Sequence, residues 1–110
     1  MELYVLRFDM YHDWSYENGA CDLMGVYDSW LKALDELKKL LLVEQDVGRY
    51  LQLGHHNNVD EFINSMKERV SDIDTTPCVV DVYKTEGSYL TGFNDGSYVI
   101  EKKVLNNEVM

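Results

Sequence analysis

A stretch of acidic and aromatic residues near the start of the chain has the side-chain types best suited to recognising another protein. Between Phe8 and Trp30 there is no Lys or Arg, while five acids and six aromatic residues are spread along the stretch. The acids are Asp9, Asp13, Glu17, Asp22 and Asp28, and the aromatic residues are Phe8, Tyr11, Trp14, Tyr16, Tyr27 and Trp30. Rigid rings supply contact area in interfaces, and carboxylates attract a partner of opposite charge. The stretch therefore predicts a binding surface for a protein with a basic surface.

The predicted contact residues lie mainly between Asp9 and Gly19, where the composition is typical of a loop. We expect Trp14 and Tyr16 to be anchors, with the neighbouring carboxylates steering association. The alternative is that Trp14 folds back into the core and has a structural role. The predicted partner-binding residues are Asp9, Tyr11, Asp13, Trp14, Tyr16, Glu17 and Asp22.

No pattern typical of catalysis or metal binding accompanies this surface. His12 has carboxylates beside it, but the sequence provides neither a nucleophile nor an oxyanion hole for it to serve. His55 and His56 are adjacent, so on a strand or a helix they point in different directions and rarely share an ion. Cys21 and Cys78 have no CxxC companion, which is the usual spacing of a zinc site, and both are predicted to be buried free thiols. The sequence predicts a protein that is not an enzyme and that uses no cofactor and no metal.

The chain is strongly acidic, with 20 Asp and Glu against 10 Lys and Arg and a formal net charge of −10. Such a charge repels nucleic acids and anionic membranes, and it attracts cationic surfaces. Acids that share one face can also imitate the phosphate charges of DNA and occupy a DNA-binding groove. The alternative is that the acids lie on several faces and serve solubility. The composition predicts a basic protein partner, with no direct binding of nucleic acid or membrane.

Length and hydropathy predict the number of domains and the location of the protein. The 110 residues fit a single domain, residues 1–110, that buries a core without metals or disulfides. The segment after Met1 lacks the positive region of a secretory signal, and the longest apolar run, Leu40–Val43, is far shorter than a membrane span. We therefore expect a cytoplasmic protein.

Apolar periodicity predicts an α+β fold in the order β-β-α-α-β-β-β, a two-layer sandwich of a mostly antiparallel sheet with helices on one face. The first helix is capped by Asp28 or Ser29, and it either breaks at Gly48 or extends to Gly54. The second helix is expected over residues 59–70. The strands are expected at residues 2–8, 20–27, 78–85, 88–93 and 97–105.

Particular residues refine these boundaries. Asn58 with Glu61 three positions later predicts a capping box at the start of the second helix. Asn94-Asp95-Gly96 predicts a hairpin turn between the last two strands. Gly25 within a strand indicates a bulge or a close approach of the backbone.

The first predicted helix carries more leucines than one buried stripe requires. Leu34, Leu41 and Leu42 widen its apolar surface and predict a homodimer interface. The alternative is that the strands and the second helix cover all three side chains.

The segment from Met24 to Ser29, followed by Ala33 and Leu37, resembles the strand-into-helix join of small bacterial and phage proteins of unassigned function. This resemblance covers about a quarter of the chain and implies the β-to-α connection without an activity. In size and acidity the chain is also similar to phage-encoded inhibitors of host defence, which include anti-CRISPR proteins. That similarity implies a non-catalytic protein that blocks a basic, nucleic-acid-binding surface.

Three functions fit these features best, and an enzyme is a fourth alternative that the absence of a catalytic motif disfavours. The first is an acidic inhibitor from a phage or mobile element that blocks a basic surface of its target. The second is an immunity-type protein that neutralises a basic toxin or nuclease. The third is a small structural or regulatory homodimer. Salt dependence of binding separates the first two from the third, because charged interfaces weaken with ionic strength.

Overall fold

The computed structural model describes the backbone of residues 2–10, 21–69, 76–86 and 89–104, and their side chains except those of residues 10, 21, 22, 84–86 and 89–95. The elements are β1 (Glu2–Met10), β2 (Cys21–Tyr27), α1 (Trp30–Asp46), β3 (Tyr50–Leu51), α2 (Val59–Lys67), β4 (Cys78–Glu86) and β5 (Tyr89–Val104). The five strands form one antiparallel sheet in the order β2-β1-β5-β4-β3. The predicted α+β class with an antiparallel sheet is confirmed.

Both helices lie on one face of this sheet. Leu6 on β1 is opposite Ile100 on β5, and Ile100 is in turn opposite Cys78 on β4, so these three side chains share a face. All three are buried in a cluster that also holds the apolar sides of α1 and α2. The alternation of buried and less buried residues along β1 follows from the strand period of two. The helices therefore seal the even-numbered side of β1, and Arg7 and its odd-numbered neighbours lie on the helix-free face.

The first helix ends at a glycine, as one of the two predicted alternatives required. Gly48 has φ +87, a left-handed conformation that suits glycine. Its N–H donates to the Gln45 carbonyl at 3.0 Å, and the Arg49 N–H donates to the Glu44 carbonyl at 3.0 Å. These two bonds form a Schellman motif, which satisfies carbonyls at the helix end. The extension to Gly54 is wrong, because Tyr50 and the residue after it form β3 instead.

Two further predictions about the order of elements need correction. The short strand β3 lies between the helices, so the order is β-β-α-β-α-β-β. The separate strands predicted at 88–93 and 97–105 are one strand, β5. Gly96 explains the error, since a Cβ there would lie 2.5 Å from the Phe8 ring and 2.6 Å from the Asp9 carbonyl oxygen. This glycine allows β1 to approach closely, and the register shift beside it marks a bulge where a turn was expected.

The predicted details at Gly25 and Asn58 are confirmed. The β1–β2 register slips by one residue beside Gly25, and a Cβ at that position would overlap the Tyr27 ring. The Asn58 side chain accepts a hydrogen bond from the Glu61 N–H at 2.8 Å, which caps α2. The Glu61 carboxylate returns to the N–H of Asn57 at 3.1 Å, one residue earlier than in the usual capping box. Neither α1 nor α2, the helices in the described part of the chain, is long and apolar enough to cross a membrane.

Candidate functional site

The predicted recognition segment is attached at one end of the β1–β2 pair. Asp9 lies opposite Cys21 in the register, so the chain leaves β1 and enters β2 at the same end of the sheet. Asp22 belongs to β2, and only its backbone is described. The remaining predicted contact residues, Tyr11, Asp13, Trp14, Tyr16 and Glu17, lie outside the described residues.

Asp9 has a basic neighbour that the sequence analysis did not assign to the site. The Arg7 Nε donates to both carboxylate oxygens of Asp9, at 3.0 Å and 3.2 Å, and Arg7 Nη1 donates to Glu101 across the β1–β5 pair. Burial lowers the pKa of Arg7, but the hydrogen bonds that Arg7 donates to Glu101 and Asp9 raise the pKa overall. One guanidinium therefore serves two carboxylates, and Lys103 Nζ lies 3.0 Å from Glu101, so two basic and two acidic side chains balance in this cluster on the helix-free face.

The register connects this cluster to a further carboxylate on the same face. Ser97 lies opposite Asp9 on one side and opposite Asp81 on the other. Its hydroxyl is fully buried and donates to the Asp81 carboxylate. The pKa of Glu101 is lowered by hydrogen bonds from Lys103 and Arg7, so this acid stays ionised at neutral pH. The helix-free face thus carries three carboxylates fixed by hydrogen bonds.

The outermost strand, β2, exposes an apolar surface that sequence reasoning missed. Leu23 is 64% exposed and Val26 is 48% exposed, and Met24 between them is also exposed. Leu23 is opposite Arg7 and Val26 is opposite Val5, so the bulge at Met24 places both on the helix-free face. The missing alternation of polar and apolar residues along β2 was the available signal, because a strand with one wet face normally alternates.

Two of the three leucines predicted to form a dimer interface are covered within the chain. Leu34 and Leu41 are fully buried in the core cluster beneath the sheet. Leu42 is 41% exposed and is the one member of the set that faces solvent. The prediction is therefore wrong for Leu34 and Leu41, whose extra apolar width is used inside the chain. The reason is that α1 contacts both the sheet and α2, so it buries more than one stripe.

Basic side chains on and around α1 are held by acids of the same chain. Lys38 Nζ lies 2.9 Å from the Asp60 carboxylate and links α1 to α2. Its pKa is raised by the hydrogen bond to that carboxylate. Similar contacts join Lys32 to Asp28 at 3.1 Å and Lys39 to Glu36 at 3.0 Å.

A cleft of about 470 Å³ lies on the opposite side of the molecule, between α2 and the start of β4. Trp30, Leu53, Phe62, Cys78 and Val79 contribute to its largely apolar lining. The indole Nε1 of Trp30 donates to the Met66 carbonyl at 2.8 Å, which fixes α1 against the end of α2. Burial raises the pKa of the Cys78 thiol to about 12, so this group is a neutral thiol at physiological pH.

The two adjacent histidines lie at the rim of this cleft. The His56 ring packs edge-on against Phe62, with ring centroids 5.9 Å apart, and His55 is exposed. Within the ranges that the structure describes, no group of three or more His, Cys, Asp or Glu side chains is placed to hold a metal ion.

Comparisons with known proteins identify no relative of this chain. A scan against protein-family models found no match, and searches of curated proteins and of solved structures found none either.

Proposed function

We propose that this protein is a non-catalytic, acidic inhibitor that binds a protein target and blocks its basic, nucleic-acid-binding surface. The proposal places it, by size and acidity, with phage and mobile-element proteins that act against host defence. It acts in the cytoplasm, where such targets meet nucleic acid. The target contributes the positive charge, and this chain contributes a negative surface that takes the place of the nucleic acid backbone.

The arrangement of charges is the observation that supports this function most. Most of the basic side chains that the structure describes form ion pairs with carboxylates of the same chain, among them Arg7, Lys32, Lys38, Lys39, Arg49, Lys102 and Lys103. Their positive charge is therefore offset locally. Exposed acids such as Asp35, Asp46 and Glu68 add negative charge elsewhere on the surface. A surface of this kind favours cationic partners over phosphate backbones.

Capture from a host lysate followed by a displacement assay tests the proposal. The immobilised protein is incubated with lysate at low salt, and bound proteins are eluted with a salt gradient and identified. We expect a basic nucleic-acid-binding protein whose affinity falls as salt rises, because the ionic contacts are screened. Adding this chain in equimolar amount should displace nucleic acid from that target. A complex that ignores salt, or a target that keeps its nucleic acid, would contradict the function.

Charge reversal tests whether the predicted recognition segment carries the steering charges. The variant Asp13→Lys with Glu17→Lys should slow association at low salt, and the effect should shrink at high salt. The matched control, Asp46→Lys with Glu68→Lys, makes the same change in net charge at exposed helix-end positions. Equal slowing in both variants would mean that overall charge, not this segment, governs the encounter.

An immunity-type role, in which the basic target is a toxin or nuclease, uses the same chemistry. The identity of the captured target distinguishes the two. A target encoded beside this chain and toxic on its own would support the immunity role, whereas a defence protein of the host would support the inhibitor.

A further inference from the structure

Among the strands that the structure describes, none pairs with the outer edge of β2. β2 is hydrogen bonded to β1 on one side, and it is the last strand in the order β2-β1-β5-β4-β3. Alternate residues of an edge strand turn their N–H and C=O groups outward, where another strand can pair with them. No backbone hydrogen bond between the described residues reaches the outer side of Cys21–Tyr27.

β2 carries few of the devices that normally protect an edge strand from pairing. Natural edge strands are kept short, carry Lys or Pro, or contain a bulge. β2 has seven residues, no Pro and no basic residue, and its bulge at Met24 is the one irregularity. Leu23 and Val26 are exposed on the helix-free face, beside the outward-facing backbone groups of β2. A strand added here would gain both backbone hydrogen bonds and apolar contacts.

Charge decides which strand fits. No Lys or Arg occurs between Arg7 and Lys32, and Asp22 and Asp28 flank the apolar part of β2. Asp28 is 69% exposed, and its contact with Lys32 is an exposed ion pair of the kind that contributes little. An antiparallel β2 strand from a second copy would bring acid against acid. Like charges opposite each other across a strand pair repel, so this pairing is disfavoured. A segment with Lys or Arg on either side of apolar residues is complementary.

We propose that the outer edge of β2 accepts an extended basic segment of a partner protein as a sixth strand, with apolar side chains of that segment packed on Leu23 and Val26. This inference rests on the proposed function, since the basic target is the source of the segment. It adds the mode of binding: main-chain pairing supplies affinity, the apolar pair supplies register, and the flanking acids select the charge.

A synthetic peptide tests the edge directly. The probe has about nine residues, alternating Val and Thr with two Lys at each end, a length suited to one strand. Added to the isotope-labelled full chain, it should shift the backbone amide signals of residues 21–27 and slow the hydrogen exchange of alternate amides there. A peptide with N-methyl groups at alternate positions should bind at least about tenfold more weakly, because it cannot pair. Shifts located elsewhere, or none at millimolar peptide, would overturn the proposal.

Variants separate edge pairing from simple charge attraction. Leu23→Glu adds a negative charge, so a purely electrostatic surface would bind the Lys-flanked peptide more tightly. Edge docking predicts the reverse, a loss of about tenfold, because the apolar contact is removed. Val47→Glu is the matched control, since Val47 is also 64% exposed and lies off the sheet. If Leu23→Glu does not fold, Val26→Glu replaces it. Unchanged or tighter binding by the edge variant would overturn the proposal.

The two proposals can fail separately. If this chain displaces nucleic acid from a basic target but the peptide leaves β2 unperturbed, the edge inference fails and the inhibitor function stands. If the peptide pairs with β2 but this chain displaces nucleic acid from no basic target, the edge is a strand-binding site and the proposed function fails.

Discussion

The two edges of the sheet are built on opposite principles. At one edge, β3 has only two residues, yet Leu51 and the nearby Leu53 are buried in the core. The Gln52 N–H also donates to the Asp81 carbonyl of β4 at 2.9 Å. On the β2 side seven residues form the strand, but Leu23 and Val26 are exposed. The β3 edge therefore contributes to stability, whereas the side chains of Leu23 and Val26 on β2 remain exposed. The comparison teaches that strand length does not measure how firmly an edge is held.

The largest expected difference between the edges is in stability. Leu51→Asp places an unpaired carboxylate in the core and should prevent folding or cost more than about 4 kcal/mol. Leu23→Asp, at an exposed position, should change the free energy of unfolding by less than about 0.5 kcal/mol. Leu51→Ala keeps the comparison measurable, with an expected loss of about 2–4 kcal/mol. Urea unfolding of the three variants checks this, and similar losses at Leu51 and Leu23 would remove the distinction.

Two glycines sharpen the contrast between the centre of the sheet and its open edge. A Cβ at Gly96 on β5 meets the Asp9 backbone, which cannot move without shifting β1. A Cβ at Gly25 on β2 meets the Tyr27 side chain, which is only partly buried and can rotate away. We expect Gly96→Ala to cost about 2–3 kcal/mol and Gly25→Ala about 1 kcal/mol or less. Thermal unfolding of both variants measures the order, and a larger loss at Gly25 would show that the edge is rigid.

The contact of Trp30 with Met66 holds the helices together beside the β3 edge. Trp30→Phe removes the indole donor and leaves the Met66 carbonyl without that partner, at a cost of about 1–2 kcal/mol. Tyr50→Phe is a suitable control because Tyr50 is 45% exposed and loses only a hydroxyl. Denaturant unfolding should show a clear loss for the first variant and almost none for the second. Equal stability of the two variants would mean that water replaces the bond without penalty.

Alkaline pH should produce the smallest effect, and it should come from the buried side of β4. The Cys78 thiol ionises near its ordinary pKa of 9.0 in the unfolded chain, but burial raises the pKa to about 12 in the folded chain. Between these values the unfolded chain binds fewer protons, so the free energy of unfolding falls as pH rises. Burial and the hydrogen bond to Glu44 raise the pKa of Tyr98 in the same direction. Urea midpoints between about pH 8 and about pH 11 should fall in the wild type and fall less in Cys78→Ala. An identical dependence of the urea midpoint on pH in both proteins would show that burial does not raise the pKa of Cys78.

The sequence was sufficient for the parts of the fold that depend on local patterns. The apolar stripe from Trp30 predicts α1, Asn58 and Glu61 predict the start of α2, and Gly48 offers the observed stop. Tyr50 and Leu51 escaped prediction because two residues carry no periodicity, and their strand exists only through pairing with Tyr83 and Val82. Gly96 was misread for a similar reason, since its neighbour across the sheet is Phe8, far away in sequence.

The site was predictable in composition but not in arrangement. The surplus of acids and the concentration of rings before Trp30 are visible in the sequence. The capture of Asp9 by Arg7 and the sharing of that guanidinium with Glu101 depend on the β1–β5 register, which no local pattern encodes. The burial of Leu34 and Leu41 likewise depends on α1 contacting two layers.

The pairing of β1 with β5 has a consequence for how the chain reaches its native state. Glu2 lies opposite Val104 and Asp9 lies opposite Ser97, so these two neighbouring interior strands come from opposite ends of the described chain. A pairing of such long range forms late, because closing a large loop costs entropy before any contact compensates for it. While a ribosome is still synthesising β5, β1 has no partner on that side and the core beneath it cannot close. The nascent chain would therefore expose its apolar strands until residue 104 has left the exit tunnel, which makes this interval the natural point for a chaperone to act.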